Sequence, residues 1–183
     1  MNFLFWLVNL VASVLGCIIL LRAYLWTLAI SPRDPMVRFA WKLTDWLVNP
    51  VAYVVRPRGN WDWASLASAL IVALVVTIFA REVTGFPATG ISFALAPFAL
   101  VVKWAVDILT WCLIFYCVMS FFSNPFSPYY ALLSTLVDPF LRPLRRIIPM
   151  IGRIDLTPLV LFVILSALQG YVITPASAGL LLL

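Results

Sequence analysis

Four long runs of apolar residues, divided by shorter polar stretches, set the pattern of the chain. The first covers 3–30 with Arg22 as its only charge, the second 63–80, the third 92–122 with Lys103 and Asp107 inside, and the fourth 158–173. Each meets or approaches the roughly 20 residues that a helix needs to cross about 30 Å of hydrocarbon. Backbone polar groups in lipid must be paired within the segment, so helices are predicted. Between the first two runs the period changes. Arg38, Lys42, Asp45 and Asn49 recur at spacings of four, three and four, while Met36, Phe39, Ala40, Leu43, Trp46 and Leu47 fill the other side. That pattern predicts an amphipathic helix over 35–50, lying in the membrane interface. Over 128–143, Thr135, Asp138 and Arg142 form a similar stripe opposite Leu132, Leu133, Leu136, Val137 and Phe140, and Pro139 predicts a kink or break. Such helices can cover the ends of a bundle, offer a docking platform, or do both.

Shifting the chain by 93 positions aligns it with itself without a gap. Pro32 falls on Pro125, Pro35 on Pro128, Leu43 on Leu136, Asp45 on Asp138, Pro50 on Pro143, Gly59 on Gly152, Asp62 on Asp155 and Leu66 on Leu159. Coincidences at Pro, Gly and scarce Asp point to a tandem duplication, with one copy in 1–85 and the other in 92–183. Each copy holds two spanning segments, an even number, so both enter the membrane from one side and the repeats are parallel. The expected fold is an all-α membrane protein: four transmembrane helices from a tandem parallel repeat of helix, interfacial amphipathic helix, helix.

Composition agrees with this reading. Of the 183 residues 64% are hydrophobic and 10% charged, against about half and a quarter in soluble domains. There is no histidine, which removes imidazole acid–base catalysis and ligation of zinc or haem. No catalytic residue, metal site or cofactor is expected. Cys17, Cys112 and Cys117 lie in apolar segments without CxxC spacing and read as small buried hydrophobes. The net charge of +5 sits beside bilayer-length runs and suits anionic headgroups rather than nucleic acid. Nine of the twelve basic residues lie in two segments: Arg33, Arg38, Lys42, Arg56 and Arg58 in one, Arg142, Arg145, Arg146 and Arg153 in the other. The positive-inside rule therefore places both large loops in the cytoplasm and both termini outside an inner (plasma) membrane. The first run has no basic residue ahead of Arg22 and is too long for the apolar core of a signal peptide, so it is expected to stay attached.

The run Asp138, Pro139, Phe140, Leu141, Arg142, Pro143, Leu144, Arg145, Arg146, Ile147, Ile148, Pro149, followed by Gly152, Ile154, Asp155, Thr157 and Pro158, resembles the signature of the YggT family. The resemblance covers nearly the whole chain, because bacterial members commonly carry two copies. The first copy keeps Asp45, Pro50, Gly59 and Asp62, but Ala52 and Tyr53 stand where the second has Arg145 and Arg146, and Arg56 replaces a proline. The resemblance, which extends to YlmG and to plastid cofactor-assembly complex C proteins, implies a small multi-spanning membrane protein without a shared reaction. Relatives are linked to osmotic stress, cell division or nucleoid distribution, and haem attachment in a plastid cytochrome complex. This chain has no C-x-x-C-H.

Individual residues then take candidate roles. Arg142, Arg145, Arg146 and Arg153 hold the loop inside and meet lipid headgroups or a partner protein, at about 1 kcal/mol per basic group near an anionic surface. Asp62 and Asp155 can cap the helices that follow them, and Pro158 suits a helix start. Lys103 and Asp107 are four apart, share a helix face and can form an intramembrane ion pair that either lowers insertion cost or lines a proton or ion path. Arg22 is expected to snorkel toward the cytoplasmic headgroups rather than meet Asp107. Two functions follow: a membrane scaffold or assembly protein with a membrane or cytoplasmic protein partner, or a small channel or transport component. A homo-oligomer suits either.

Overall fold

The structure, a computed structural model, describes residues 3–31, 34–55, 61–84, 90–122, 127–146 and 155–170. Arg33, Arg56, Arg58, Gly59, Gly152 and Arg153 lie outside these residues. The described elements are six helices: α1 (Phe3–Thr27), α2 (Pro35–Val54), α3 (Trp63–Thr84), α4 (Gly90–Phe122), α5 (Pro128–Arg145) and α6 (Thr157–Leu168). Three helices, α1, α3 and α4, are long and apolar enough to cross a membrane. The fourth apolar run is described as α6, which is shorter. The residues divide into two compact units, with the boundary inside α4 between Ala105 and Val106.

In the first unit α1, α2 and α3 pack on one another. The face that α3 buries is made of small residues, Ser65, Ser68, Ala69, Ala73, Thr77 and Ala80 among them. Its large side chains Ile71, Leu74, Val75 and Ile78 point outward. Small residues let two helix backbones approach closely, which is how helices pack when the outer surface gains nothing by hiding from its solvent. The hydroxyls on the buried face are satisfied locally: Ser68 donates to the Ala64 carbonyl at 2.7 Å and Thr77 to the Ala73 carbonyl at 2.8 Å.

Helix α1 receives Trp104 of α4 in the same way. A Cβ built at Gly16 would fall well inside van der Waals contact of the Trp104 ring, so the indole occupies the space that the glycine leaves. Trp104 is 1% exposed, and its indole N–H donates to Ser13 Oγ at 3.3 Å. The thiol of Cys17 donates to the Trp104 carbonyl at 3.7 Å. Among the described residues no disulfide involves Cys17, Cys112 or Cys117.

Helix α1 ends in a Schellman turn. Ala29 N–H donates to the Trp26 carbonyl at 3.0 Å and Ile30 N–H to the Leu25 carbonyl at 3.3 Å, with Ala29 at a φ of 51°. That left-handed position more often holds glycine.

Helix α2 runs past its expected end at Pro50 to Val54. Its surface splits into three arcs. Val37, Ala40, Thr44 and Val48 are buried on the side of α2 that packs on the rest of the first unit. Arg38, Lys42, Asp45 and Asn49 form the polar arc. Phe39, Leu43, Trp46 and Tyr53 form a third arc that is apolar and exposed. The simple two-sided expectation had merged the first and third arcs.

In the second unit α5 and α6 pack together, and Leu136, Val137 and Leu141 of α5 and Leu161 and Leu165 of α6 are buried. Of the kink or break expected at Pro139, the break does not occur: α5 continues through Pro139 and Pro143 to Arg145. Both prolines are exposed. The carbonyls they leave without a backbone donor therefore lie toward the surface, where other donors can reach them.

Candidate functional site

Asp62 ends the segment that leads into α3. Its Oδ1 accepts the Ser65 N–H at 3.2 Å and its Oδ2 the Ser65 hydroxyl at 2.5 Å, so the carboxylate closes the first turn of α3 as an N-cap would. The carboxylate has 7% of its side chain exposed, and its charge is met by Arg22 of α1, whose Nε lies 3.8 Å from Oδ2. The same guanidinium reaches α2. Arg22 Nη1 is 2.6 Å from Asp45 Oδ1 and donates to Thr44 Oγ1 at 3.0 Å, and the guanidinium carbon lies 5.3 Å from the centre of the Trp41 ring. One arginine on α1 thus joins the polar arc of α2 to the first turn of α3. The expected snorkelling Arg22 instead points into the protein, with 13% of its side chain exposed.

The second unit holds a comparable cluster. Asp155 Oδ1 accepts the Thr157 N–H at 2.9 Å, which ties it to the first turn of α6. Arg145, the last residue of α5, donates from Nε to Asp155 Oδ2 at 3.0 Å, from Nη1 to Asp138 Oδ1 at 3.2 Å and from Nη2 to the Tyr116 hydroxyl of α4 at 3.4 Å. The Tyr116 and Tyr130 rings stack at 5.3 Å. Burial alone would push the Asp155 carboxyl up, but the Thr157 hydrogen bonds and the Arg145 charge outweigh it and hold it below the usual carboxylate range. Burial pulls Arg145 down, yet Asp155 and Tyr116 raise it on balance.

The basic residues of the second loop therefore part company. Arg145 is turned inward and engaged by two carboxylates. Arg142 has 75% of its side chain exposed and touches Asp138 only at 3.6 Å. Arg146 is exposed at the end of α5. Pro50 and Pro143 lie inside α2 and α5 on exposed positions. In α4, Lys103 and Asp107 are half-buried, and the Asp107 carboxylate accepts a hydrogen bond from the Gln169 side-chain amide. Among the described residues no group of three potential metal ligands comes together. The clusters hold charge between helices, and every polar atom named in them is spent on another part of the protein.

Sequence reasoning missed Arg22 and Tyr116 as members of these clusters. A signal for Arg22 was present. The first copy keeps both aspartates while carrying Ala52 and Tyr53 in place of the arginine pair, so two carboxylates needed a cation from elsewhere, and Arg22 is the only charge on α1. Nothing in the pattern distinguished Tyr116 from the other aromatics of an apolar run.

Comparison with known proteins agrees with the internal duplication. The profile described as CCB3/YggT matches residues 1–82 and again 95–176. The chain is 31% identical over 170 residues to a protein of Escherichia coli K12 named "Uncharacterized protein YggT", covering 92% of this chain and 88% of that one. It is 27% identical over 180 residues to an "Uncharacterized protein in proC 3'region" of Vibrio alginolyticus, covering 96% and 97% of the two chains. An uncharacterised protein of Haemophilus influenzae is 26% identical over 169 residues, covering 91% and 87%. No solved structure matches.

Proposed function

Because the chain belongs to the CCB3/YggT family, we propose that it is a multi-spanning inner-membrane scaffold or assembly protein. In this reading α1, α3, α4 and α6 cross the bilayer, both termini are outside, and α2 and α5 lie at the cytoplasmic interface. The small-inside, large-outside arrangement of α3 supports the crossing, because such a surface suits lipid and would be a large apolar patch in water. So does an open groove of about 510 Å³ between α1 and α3, lined by carbon from Leu7 to Phe79 with Trp46 of α2.

The observation that carries the scaffold reading is the division of charge on the two interfacial helices. Arg22 of α1 and Arg145 of α5 are engaged with aspartates that tie α2 and α5 to their neighbours. What the two helices present outward is basic and aromatic: Lys42, Phe39 and Trp46 on α2, Arg142 and Tyr129 on α5, with Arg146 just after it. Such a surface can meet anionic headgroups and a protein partner together.

Photo-crosslinking residues placed at Phe39, Trp46 and Tyr129 in native membranes test this. A scaffold gives a recurrent protein adduct at these positions, and Arg142→Gln with Arg146→Gln weakens it while the protein still inserts. Adducts to lipid alone at all three positions would contradict the scaffold. Arg145 is left unchanged in this test, because its loss would disturb the fold as well as the surface.

A further inference from the structure

Each copy of the repeat carries an aspartate on its interfacial helix and a second one just ahead of the next helix, at the same separation. In each, an arginine reaches both: Arg22 lies 2.6 Å from Asp45 and 3.8 Å from Asp62, and Arg145 lies 3.2 Å from Asp138 and 3.0 Å from Asp155. Yet the two arginines are not equivalent in sequence. Arg145 aligns with Ala52, whereas Arg22 aligns with Phe115. We infer that Arg22 is the first copy's substitute for the missing repeat arginine: one charge clamp is kept in both copies, but its cation is delivered from the first helix in one and from the interfacial helix in the other.

The third element of each clamp supports the substitution. In the second copy α4 contributes the Tyr116 hydroxyl, which accepts from Arg145 Nη2 at 3.4 Å. Tyr116 aligns with Ala23, the neighbour of Arg22. The first helix of each copy thus enters the clamp at adjacent positions, with the cation itself in one copy and with a hydroxyl acceptor in the other. Ala52, packed at the edge of the core, cannot supply charge, but it lies on the face of α2 that holds Asp45. It stands seven residues after Asp45 on α2, as Arg145 stands seven after Asp138 on α5, and seven residues are about two helical turns, so each pair shares a face.

The inference demands that the arginine can be moved. Removing it leaves Asp62, which is 7% exposed, as a carboxylate without its cation, the costly way to break a buried pair. The full chain is purified in one detergent as wild type, Arg22→Met, Ala52→Arg and Arg22→Met/Ala52→Arg, and the midpoint of thermal unfolding is measured. Arg22→Met is expected to lower the midpoint, and Ala52→Arg to restore at least half of that loss in the double variant while giving no gain to the wild type. Adding Asp45→Asn and Asp62→Asn to the double variant should abolish the recovery. Where Arg22→Met does not accumulate, the amount of membrane-inserted protein is read instead, and the same order is expected. An unchanged midpoint in Arg22→Met overturns the inference. So does a double variant no better than Arg22→Met, or a recovery that survives loss of both aspartates.

Discussion

At the scale of the residue, the second clamp makes a prediction about acid. Asp155 is held below the usual carboxylate range by Thr157 and Arg145 against the opposing effect of burial. A carboxyl with a lowered folded pKa contributes stability that is complete above its unfolded value, about 3.9, and disappears as pH falls through the folded one. The unfolding midpoint of the wild type should therefore exceed that of Asp155→Asn at pH 7, and the gap should close as pH falls below about 4. A gap of constant size from pH 7 to 3 would mean that the ionised carboxylate is not what stabilises the start of α6. The Arg145 partner titrates too high to enter this window, since its pKa is raised above the ordinary arginine value.

Among the elements, packing between α1 and α4 turns on one missing side chain. Alanine is the better helix former, by up to about 1 kcal/mol over glycine in a helix interior. At Gly16 that gain competes with a Cβ driven into the buried Trp104 ring. Overpacking of this kind typically costs about 1–3 kcal/mol. Because Trp104 is 1% exposed and held at both its indole N–H and its carbonyl, the ring has no easy retreat. Gly16→Ala should lower the thermal midpoint, and Gly16→Ala with Trp104→Leu should recover part of the loss; a midpoint that rises in the single variant would show that propensity wins.

The elements also show what the sequence could and could not reveal. Helices α1, α3 and α4 follow from long apolar runs, whose period matters little when every side of the helix is apolar. Polar spacing marked α2 and α5, but not the third, outward apolar arc of α2, because a two-state pattern of polar and apolar positions cannot tell an apolar residue packed inside the protein from one left exposed. Pro139 left kink and break both open for a related reason: whether a helix continues through a proline depends on the packing around it, which is a tertiary property. Asp62 and Asp155 were legible as helix-start residues. The pairing with Arg22 was signalled only by the missing repeat arginine at Ala52, since Arg22 lies 23 residues from Asp45 in sequence and meets it only once α1 and α2 have packed.

For the whole molecule, the proposed arrangement is two parallel copies of helix, interfacial helix, helix. Both basic loops then lie on one side of the membrane and the segment between the copies on the other. The direct measurement is side-specific labelling of single cysteines in a chain whose Cys17, Cys112 and Cys117 have been replaced by alanine. Arg58→Cys, Arg153→Cys and Gly85→Cys are each exposed, in intact cells and in inverted membranes, to a thiol reagent that cannot cross lipid. The account predicts that Arg58→Cys and Arg153→Cys react only in inverted membranes and Gly85→Cys only in intact cells. Labelling of Arg58→Cys and Arg153→Cys from opposite sides would contradict it.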